Sequence, residues 1–342
     1  MNKRLLFTLF ALFTTSFVWS ADGDIFYNNT PEGISMRFKV ISEEEKTCQA
    51  ASSAIDLSTS GTVTIPSVVN GYTLISIGDD AFCQCDKLVS VVIPESVEVI
   101  GAEAFYGCSS LESITIPDLV TDIMDCAFAY CTNLSEVYIG GSVKYISRSY
   151  MHDAFDGCNN IKKLTVNCTN LEILPSSIIN NLEEVVIGDN TVNIGYNRFY
   201  NYNSKLKRVS IGKNVRWVGG FRDCSLLEEV VLSEGNEHIQ EEAFNGCEKL
   251  SNITLPSTTK TIGSVAFSGC GFSQFTIPEG VEEIGYGAFS GCRNLTSISI
   301  PQNVNRLEDE LFSGCGFTSF NIPDHVKSIG MGTFSLNISY SA

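Results

Sequence analysis

Residues 93–116 read IPESVEVIGAEAFYGCSSLESITI, and nearly the same order of residues returns at 277–300 as IPEGVEEIGYGAFSGCRNLTSISI. Both stretches carry an Ile-Pro pair, spaced apolar residues, an Ile-Gly pair, an Ala-Phe pair, a Gly-Cys pair, a Leu and a closing Ile. Self-similarity at a fixed period of about 20–50 residues is the signature of repeat architectures. The repetition therefore decides the fold before any other feature of the sequence does.

The same pattern divides most of the chain into about twelve units, mostly of 21–27 residues. The units begin at Ile65, Ile93, Ile116, Ile139, Val166, Ile187, Ile211, Leu232, Leu255, Ile277, Ile300 and Ile322. The last unit stops short after Phe334.

The end of each unit has the pattern of a short strand. Side chains alternate along a strand, so Ile114 and Ile116 share one face while Ser113 and Thr115 face outward. Pro117 lacks an amide hydrogen and ends the strand. A single unit would leave its apolar face in water, whereas units stacked at about 4.8 Å cover one another and form one solenoid.

The first half of each unit predicts two further features. Residues 97–100 favour a second short extended segment, after which Gly101 turns the chain. The pair Ala104-Phe105 predicts the start of a helical turn, with Phe105 as the large residue that fills this side of the core. We therefore expect an α/β repeat solenoid of short strands and Phe-bearing helical turns.

One position of the unit explains most of the 13 cysteines. We call it the cysteine slot, and its members are Cys85, Cys108, Cys131, Cys158, Cys224, Cys247, Cys270, Cys292 and Cys315. A small side chain here can turn inward, and its thiol can bond weakly to buried backbone, so the fold does not require disulfides. Cys48, Cys83, Cys126 and Cys168 lie outside the slot, and their pairing stays open.

The repeat resembles that of the BspA-like leucine-rich-repeat proteins over about residues 65–334. Residues 24–64 also resemble the segment that often precedes such arrays, with hairpin strands near 24–27 and 34–41. The resemblance implies a secreted or cell-surface protein that adheres to or binds proteins and extracellular matrix. It supplies no catalytic residues.

The N-terminus predicts export. Lys3 and Arg4 precede an uncharged stretch at 5–18 and small residues around Ser20, which is the layout of a signal peptide. That stretch is too short for a good membrane anchor. We therefore expect three parts, namely a signal peptide at 1–20, an N-terminal β-hairpin cap at 21–64 and the leucine-rich-repeat solenoid at 65–342.

The charge disfavours several partners. The formal net charge is −17, and without Lys3 and Arg4 the balance is 20 basic to 39 acidic residues, or −19. Such a surface repels phosphate backbones and anionic lipid headgroups, so we expect no nucleic-acid partner and no membrane insertion after the signal is removed.

No pattern in the sequence predicts catalysis, a cofactor or a metal. The three histidines, His152, His238 and His325, lie in different units without ligand spacing. Nucleophile-elbow and phosphate-loop motifs are missing, and carboxylates spread along an open solenoid are more typical of a solvated face than of a glycosidase pair. We expect a protein that is not an enzyme.

The middle units, about residues 136–231, depart from the repeat through lost prolines, an insertion at 148–152 and added aromatic and Arg residues. Tyr, Trp and Arg dominate binding energy at interfaces. The candidate partner-binding residues are Tyr138, Tyr150, Lys163, Arg198, Tyr202, Arg208 and Trp217. Ordinary decay of the repeats, or aromatics that fill gaps between unequal units, explains the same irregularity.

Two kinds of partner remain open at this stage. A broad patch of Arg, Glu and Tyr on the outward strand positions would favour a protein or matrix component. Exposed, coplanar rings at Tyr200, Tyr202 and Trp217 would favour a glycan.

Overall fold

The structure is a computed structural model that describes residues 21–147, 153–195, 199 and 205–335. Within these ranges lie 24 short strands, a four-residue α-helix α1 and a 3₁₀ helix at Leu171–Ile173. The predicted signal peptide at 1–20 falls outside them.

In chain order the strands and the α-helix are β1 Ile25–Asn29, β2 Ser35–Ser42, β3 Thr47–Ala50, β4 Gly61–Thr64, β5 Val68–Val69, β6 Tyr72–Ile77, β7 Leu88–Val92, β8 Val99–Ile100, β9 Ser113–Ile116, β10 Asp122–Ile123, β11 Glu136–Ile139, β12 Tyr145–Ile146, β13 Lys163–Val166, α1 Ser176–Ile179, β14 Glu184–Ile187, β15 Arg208–Ile211, β16 Trp217–Val218, β17 Glu229–Val231, β18 His238–Ile239, β19 Thr261–Ile262, β20 Gln274–Thr276, β21 Glu283–Ile284, β22 Ser297–Ser299, β23 Arg306–Leu307 and β24 Ser328–Ile329.

The units stack into two faces of parallel strands. One face, here called the strand face, is the eight-stranded sheet of β4, β7, β9, β11, β13, β14, β15 and β17. The other face consists of the shorter strands of each unit, and β16, β18, β19 and β21 form one of its sheets, here called the second sheet. The extended segment predicted at 97–100 appears as β8 at its last two residues. The predicted repeat solenoid is therefore confirmed.

The N-terminal strands pair differently from the strands of the repeats. Strands β1, β2 and β3 pair antiparallel, and β3 then pairs parallel with β6 of the first unit. The inward side chains Met36 and Phe38 are fully buried in the same core as the repeats. This arrangement covers apolar groups of the first unit that would otherwise meet water.

Phenylalanine rings stack on one another along the core. Phe105 is fully buried, as the sequence predicts, and its ring stacks on Phe82 and Phe128 with centroids 5.0 and 5.1 Å away. The nine cysteines of the slot are all buried as well. A Phe ring and a cysteine therefore repeat along the interior in most units, but not in the unit that begins at Val166, which has no Phe.

The predicted helical turns are not helices. The Ala-Phe segments form hydrogen-bonded turns, and α1 is the one α-helix among the described residues. The amide of Phe105 donates to the carbonyl of Ala127 at 2.7 Å, and that of Gly107 donates to Ala129 at 2.8 Å. Because these amides bond to the next unit, they cannot make the i→i−4 bonds of a helix.

Gly101 permits close stacking between units. A Cβ added there would lie 2.6 Å from the backbone nitrogen of Asp79 and 2.7 Å from the carbonyl carbon of Gly78. The backbone of Gly101 also donates to the carbonyl of Ile77 at 2.8 Å. The Ile-Gly pair of the repeat is thus explained by contact with the preceding unit.

The strand face is not continuous along the whole solenoid, although the outward positions predict one unbroken surface. Among the described residues, no strand pairing joins 252–255 to β17 or to β20, and β20 pairs only with β22. At this point Phe275 takes the inward strand position that Ile298 holds in the next unit, and its ring packs against Phe289 at 4.9 Å.

Candidate functional site

A row of charged side chains crosses the middle of the strand face. The parallel register aligns the first outward residues of five neighbouring strands, β11, β13, β14, β15 and β17. These residues are Glu136, Lys163, Glu184, Arg208 and Glu229. Their charges alternate in sign from one strand to the next, so each charge has an opposite neighbour about one strand spacing away.

Glu184 is the centre of this row. Its carboxylate accepts a hydrogen bond from Arg208 Nη2 at 2.8 Å, and Lys163 Nζ lies 3.4 Å from its other oxygen. The hydrogen bond from Arg208 is the main reason why the pKa of Glu184 is lowered. Two predicted binding residues, Lys163 and Arg208, are therefore brought together by a carboxylate that the sequence analysis did not single out.

Two further ion pairs lie beside this row. Lys207 Nζ lies 2.8 Å from Glu183, and Lys249 Nζ lies 3.7 Å from Glu228. These pairs are at least one-third exposed, so each contributes little to stability. Together with the row, these pairs give a surface that carries both positive and negative side chains, most of them held by an ion pair.

Tyr138 lies on the same face, one step along β11 from the charged row. It is half-buried between Thr115 and Thr165, its partners in register, and its hydroxyl donates to Asp118 Oδ1 at 3.5 Å. Burial, followed by the nearby Asp118 carboxylate, raises the pKa of Tyr138. Its phenol is therefore neutral at pH 7 and can donate or accept at the edge of the surface.

Trp217 lies elsewhere, on the second sheet. Its indole is 54% exposed and stacks on the His238 ring with centroids 4.0 Å apart. Beside this pair, Glu237 accepts hydrogen bonds from Arg216 Nη2 at 2.9 Å and from Lys260 Nζ at 2.7 Å. The structure thus separates Trp217 from the Tyr138 surface, since Trp217 belongs to the other strand of its unit.

The remaining candidate residues, Tyr150, Arg198 and Tyr202, lie outside the described residues, as does Tyr200. Nothing in the structure bears on their predicted roles.

One group in the described ranges has metal-ligating side chains close together, namely Asp80, Cys83 and Glu103, whose ligand atoms lie within 4.8 Å of one another. Burial, followed by the two carboxylates, raises the pKa of Cys83.

Along the described part of the chain, no helix has the length and apolar character needed to cross a membrane. No curated protein matches the chain.

Solved structures with similar folds are bacterial leucine-rich-repeat proteins. One, from Bacteroides ovatus, is 22% identical, with 92% of this chain and 91% of the other covered and a TM-score of 0.41. The pneumococcal vaccine antigen PcpA is 21% identical, with 91% and 94% covered and a TM-score of 0.37. A leucine-rich cell surface protein from Faecalibacterium prausnitzii is 20% identical, with 91% and 86% covered and a TM-score of 0.32.

The family assignment rests on the repeat itself. The model of the BspA-type leucine-rich-repeat region, six copies long, matches residues 59–181, 148–220 and 218–340. These matches span nearly all of the repeat units in which the strand face and the second sheet lie. The chain belongs to the BspA-type leucine-rich-repeat family.

Proposed function

We propose that this protein is a non-enzymatic binding protein, secreted or held at the cell surface, that recognises another protein through the strand face between β11 and β17. The observation that carries the proposal is the row Glu136, Lys163, Glu184, Arg208 and Glu229 in register. It gives a broad, open surface of mixed charge with Tyr138 beside it.

Such a surface has the features of a protein interface. Tyr and Arg are enriched among residues that dominate binding energy, and charges of both signs set the orientation of a partner. Because Glu184 already holds Arg208 and Lys163 in place, little side-chain freedom is lost when a partner docks.

A glycan is less well supported as the partner. Binding of a sugar ring requires an exposed aromatic face, but Tyr138 is half-buried and Trp217 already stacks one ring face against His238. The outward side chains of the strand face form ion pairs and present no set of exposed aromatic rings among the described residues.

The proposal includes the three-part organisation expected from the sequence. Residues 1–20 direct export, residues 21–64 cap the first unit, and the solenoid from residue 65 carries the binding surface. The antiparallel strands β1–β3 over the buried Met36 and Phe38 support the role of the cap. Export would also agree with the description of the similar Faecalibacterium protein as a cell surface protein.

A binding panel tests the class of partner. The purified protein is passed over immobilised extracellular-matrix proteins and, in parallel, over an array of neutral and acidic glycans. We expect saturable binding to at least one protein and no selective binding to glycans. Selective, saturable glycan binding without protein binding would contradict the proposal.

A further inference from the structure

A groove of about 860 Å³ lies on the face opposite the strand face. Its walls include Trp217, His238, Thr261, Glu283, Tyr286 and Arg306. The groove coincides with a break in strand pairing, since among the described residues β21 pairs with β19 and β23 pairs only with β24. The opening is long, because Trp217 and Tyr286 belong to units three repeats apart.

Two exposed aromatic side chains mark this groove. Trp217 is 54% exposed and Tyr286 is 46% exposed, so both rings can contact a ligand. The Tyr286 hydroxyl donates to Glu310 at 2.7 Å, and this bond fixes the ring at the rim. His238 Nδ1 lies 2.9 Å from the hydroxyl of Thr261, which holds the imidazole under the indole.

The charge inside the groove is negative and partly uncompensated. Arg306 is bonded to Glu308 at 2.8 Å, so those two charges offset each other. Glu282 and Glu283 are exposed, and no ion pair with either is found among the described residues. Burial lowers the pKa of His238, which keeps the imidazole neutral at pH 7. Two carboxylates of the groove therefore have no basic partner among the residues that the structure describes.

We propose that this groove binds a basic, extended polypeptide segment of a partner protein. Lys or Arg side chains of the segment would reach Glu282 and Glu283. Another Lys or Arg of the same extended segment would lie over the exposed indole of Trp217, which is three strand spacings away in register. Charge-assisted hydrogen bonds and cation–π contacts are the two interactions that this set of side chains provides.

Other ligands fit this chemistry less well. Nucleic acids and anionic lipids are repelled by the carboxylates. A neutral glycan would leave Glu282 and Glu283 uncompensated, and a single metal ion would make no use of the indole. The groove is a second surface, separate from the strand face, and its occupation does not depend on the function proposed for that face.

Trp217 provides its own reporter for the test. The chain has two tryptophans, Trp19 and Trp217, so Trp19→Phe in the full chain leaves Trp217 as the single source of indole emission. The probe is an acetylated, amidated decapeptide that alternates Lys and Val. A decapeptide that alternates Glu and Val and the neutral sugar cellohexaose are titrated in parallel. We expect a saturable change of Trp217 emission with the Lys peptide alone.

Paired variants separate a specific site from general attraction to an acidic protein. Glu282→Gln with Glu283→Gln should weaken binding of the Lys peptide about tenfold, as expected for the loss of charge-assisted bonds. Glu44→Gln with Glu45→Gln removes two adjacent, exposed carboxylates from the cap and should leave the affinity within about twofold. Arg208→Ala on the strand face should also leave it unchanged.

Three results would overturn the proposal. The first is that both double variants weaken binding of the Lys peptide equally. The second is that the Glu peptide or cellohexaose binds as tightly as the Lys peptide. The third is that the Lys peptide causes no saturable change in Trp217 emission.

Discussion

The thiol of Cys108 donates a hydrogen bond to the backbone carbonyl oxygen of Phe82, 3.1 Å away and one unit earlier in the chain. The same bond recurs from Cys131 to Phe105 at 3.2 Å and from Cys315 to Phe289 at 3.1 Å. Each thiol thus satisfies a buried carbonyl of the preceding Phe-bearing turn. A small inward donor, and not a disulfide, is what the repeat requires at this position.

The first prediction concerns thiol reactivity in the folded protein. Burial raises the pKa of Cys85, Cys224 and Cys315 to about 12, so little thiolate exists at pH 8. Cys83 and Cys126 are only partly buried. Iodoacetamide labelling followed by peptide mass spectrometry should find Cys83 and Cys126 modified first and the slot cysteines modified only after denaturation. Slot cysteines that resist labelling even in denaturant, because they are oxidised to disulfides, would contradict this account.

A second prediction concerns the ring stack. Phe105→Ala removes a fully buried ring between Phe82 and Phe128 and should cost about 3–5 kcal/mol in the free energy of unfolding. Ser113→Ala, on an exposed position of β9, should cost less than about 0.5 kcal/mol. Urea denaturation followed by circular dichroism measures both. Equal losses would show that the inward and outward faces are assigned wrongly.

The third prediction concerns the Ile-Gly pair. In Gly101→Ala the new methyl would lie 2.6 Å from the backbone of Asp79, so the units must move apart, at a cost of about 1–3 kcal/mol. Gly141→Ala is the matched control, because its methyl would meet only the movable end of the Asn190 side chain, at 2.9 Å. Thermal melts of the two variants should differ clearly. Similar melting temperatures would refute the role given to Gly101.

The fourth prediction concerns pH. Hydrogen bonds from Arg216 and then Lys260 lower the pKa of Glu237 from 4.5 to about 2. Its stabilising contribution is therefore complete above pH 4.5 and is lost as the pH falls toward 2. Arg216→Gln should raise the pKa of Glu237, as followed by NMR of its side-chain carboxyl carbon. Arg306→Gln removes a more distant Arg and should leave the pKa of Glu237 unchanged. A shift of this pKa in both variants, or in neither, would contradict the role given to Arg216.

The repeat pattern of the sequence predicts the buried residues well and the contacts on the surface poorly. Phe105, Ile114 and the cysteine slot follow from the repeat because each of these inward positions has similar neighbours in the adjacent units. The helical turns could not be excluded from one unit alone, since the acceptor for the Phe105 amide is Ala127 of the next unit. The break near 252–255 is likewise not visible in the sequence, because Ile253 and Leu255 keep the apolar inward positions of the repeat while no strand pairing forms there among the described residues.

The candidate site was predictable in part. Lys163 and Arg208 lie on one surface, but Glu184, which joins them, emerges only when the units are aligned by register. The position of Trp217 on the other face could have been found in the same way. It directly precedes Val218-Gly219, the counterpart of the Ile-Gly pair, and so belongs to the second extended segment of its unit.

The most direct test compares the proposed binding surface in the middle units with the equivalent outward positions near the C-terminal end of the solenoid. Tyr138→Ala with Arg208→Ala alters the proposed surface, and Ser297→Ala with Ser319→Ala alters outward, exposed positions of later units. Both double variants are titrated by calorimetry against the protein that the binding panel retains. The account predicts an affinity loss of at least about tenfold for the first variant and less than about twofold for the second. A dominant loss in the second variant, or none in the first, would show that the irregular middle units are repeat drift and not the binding surface.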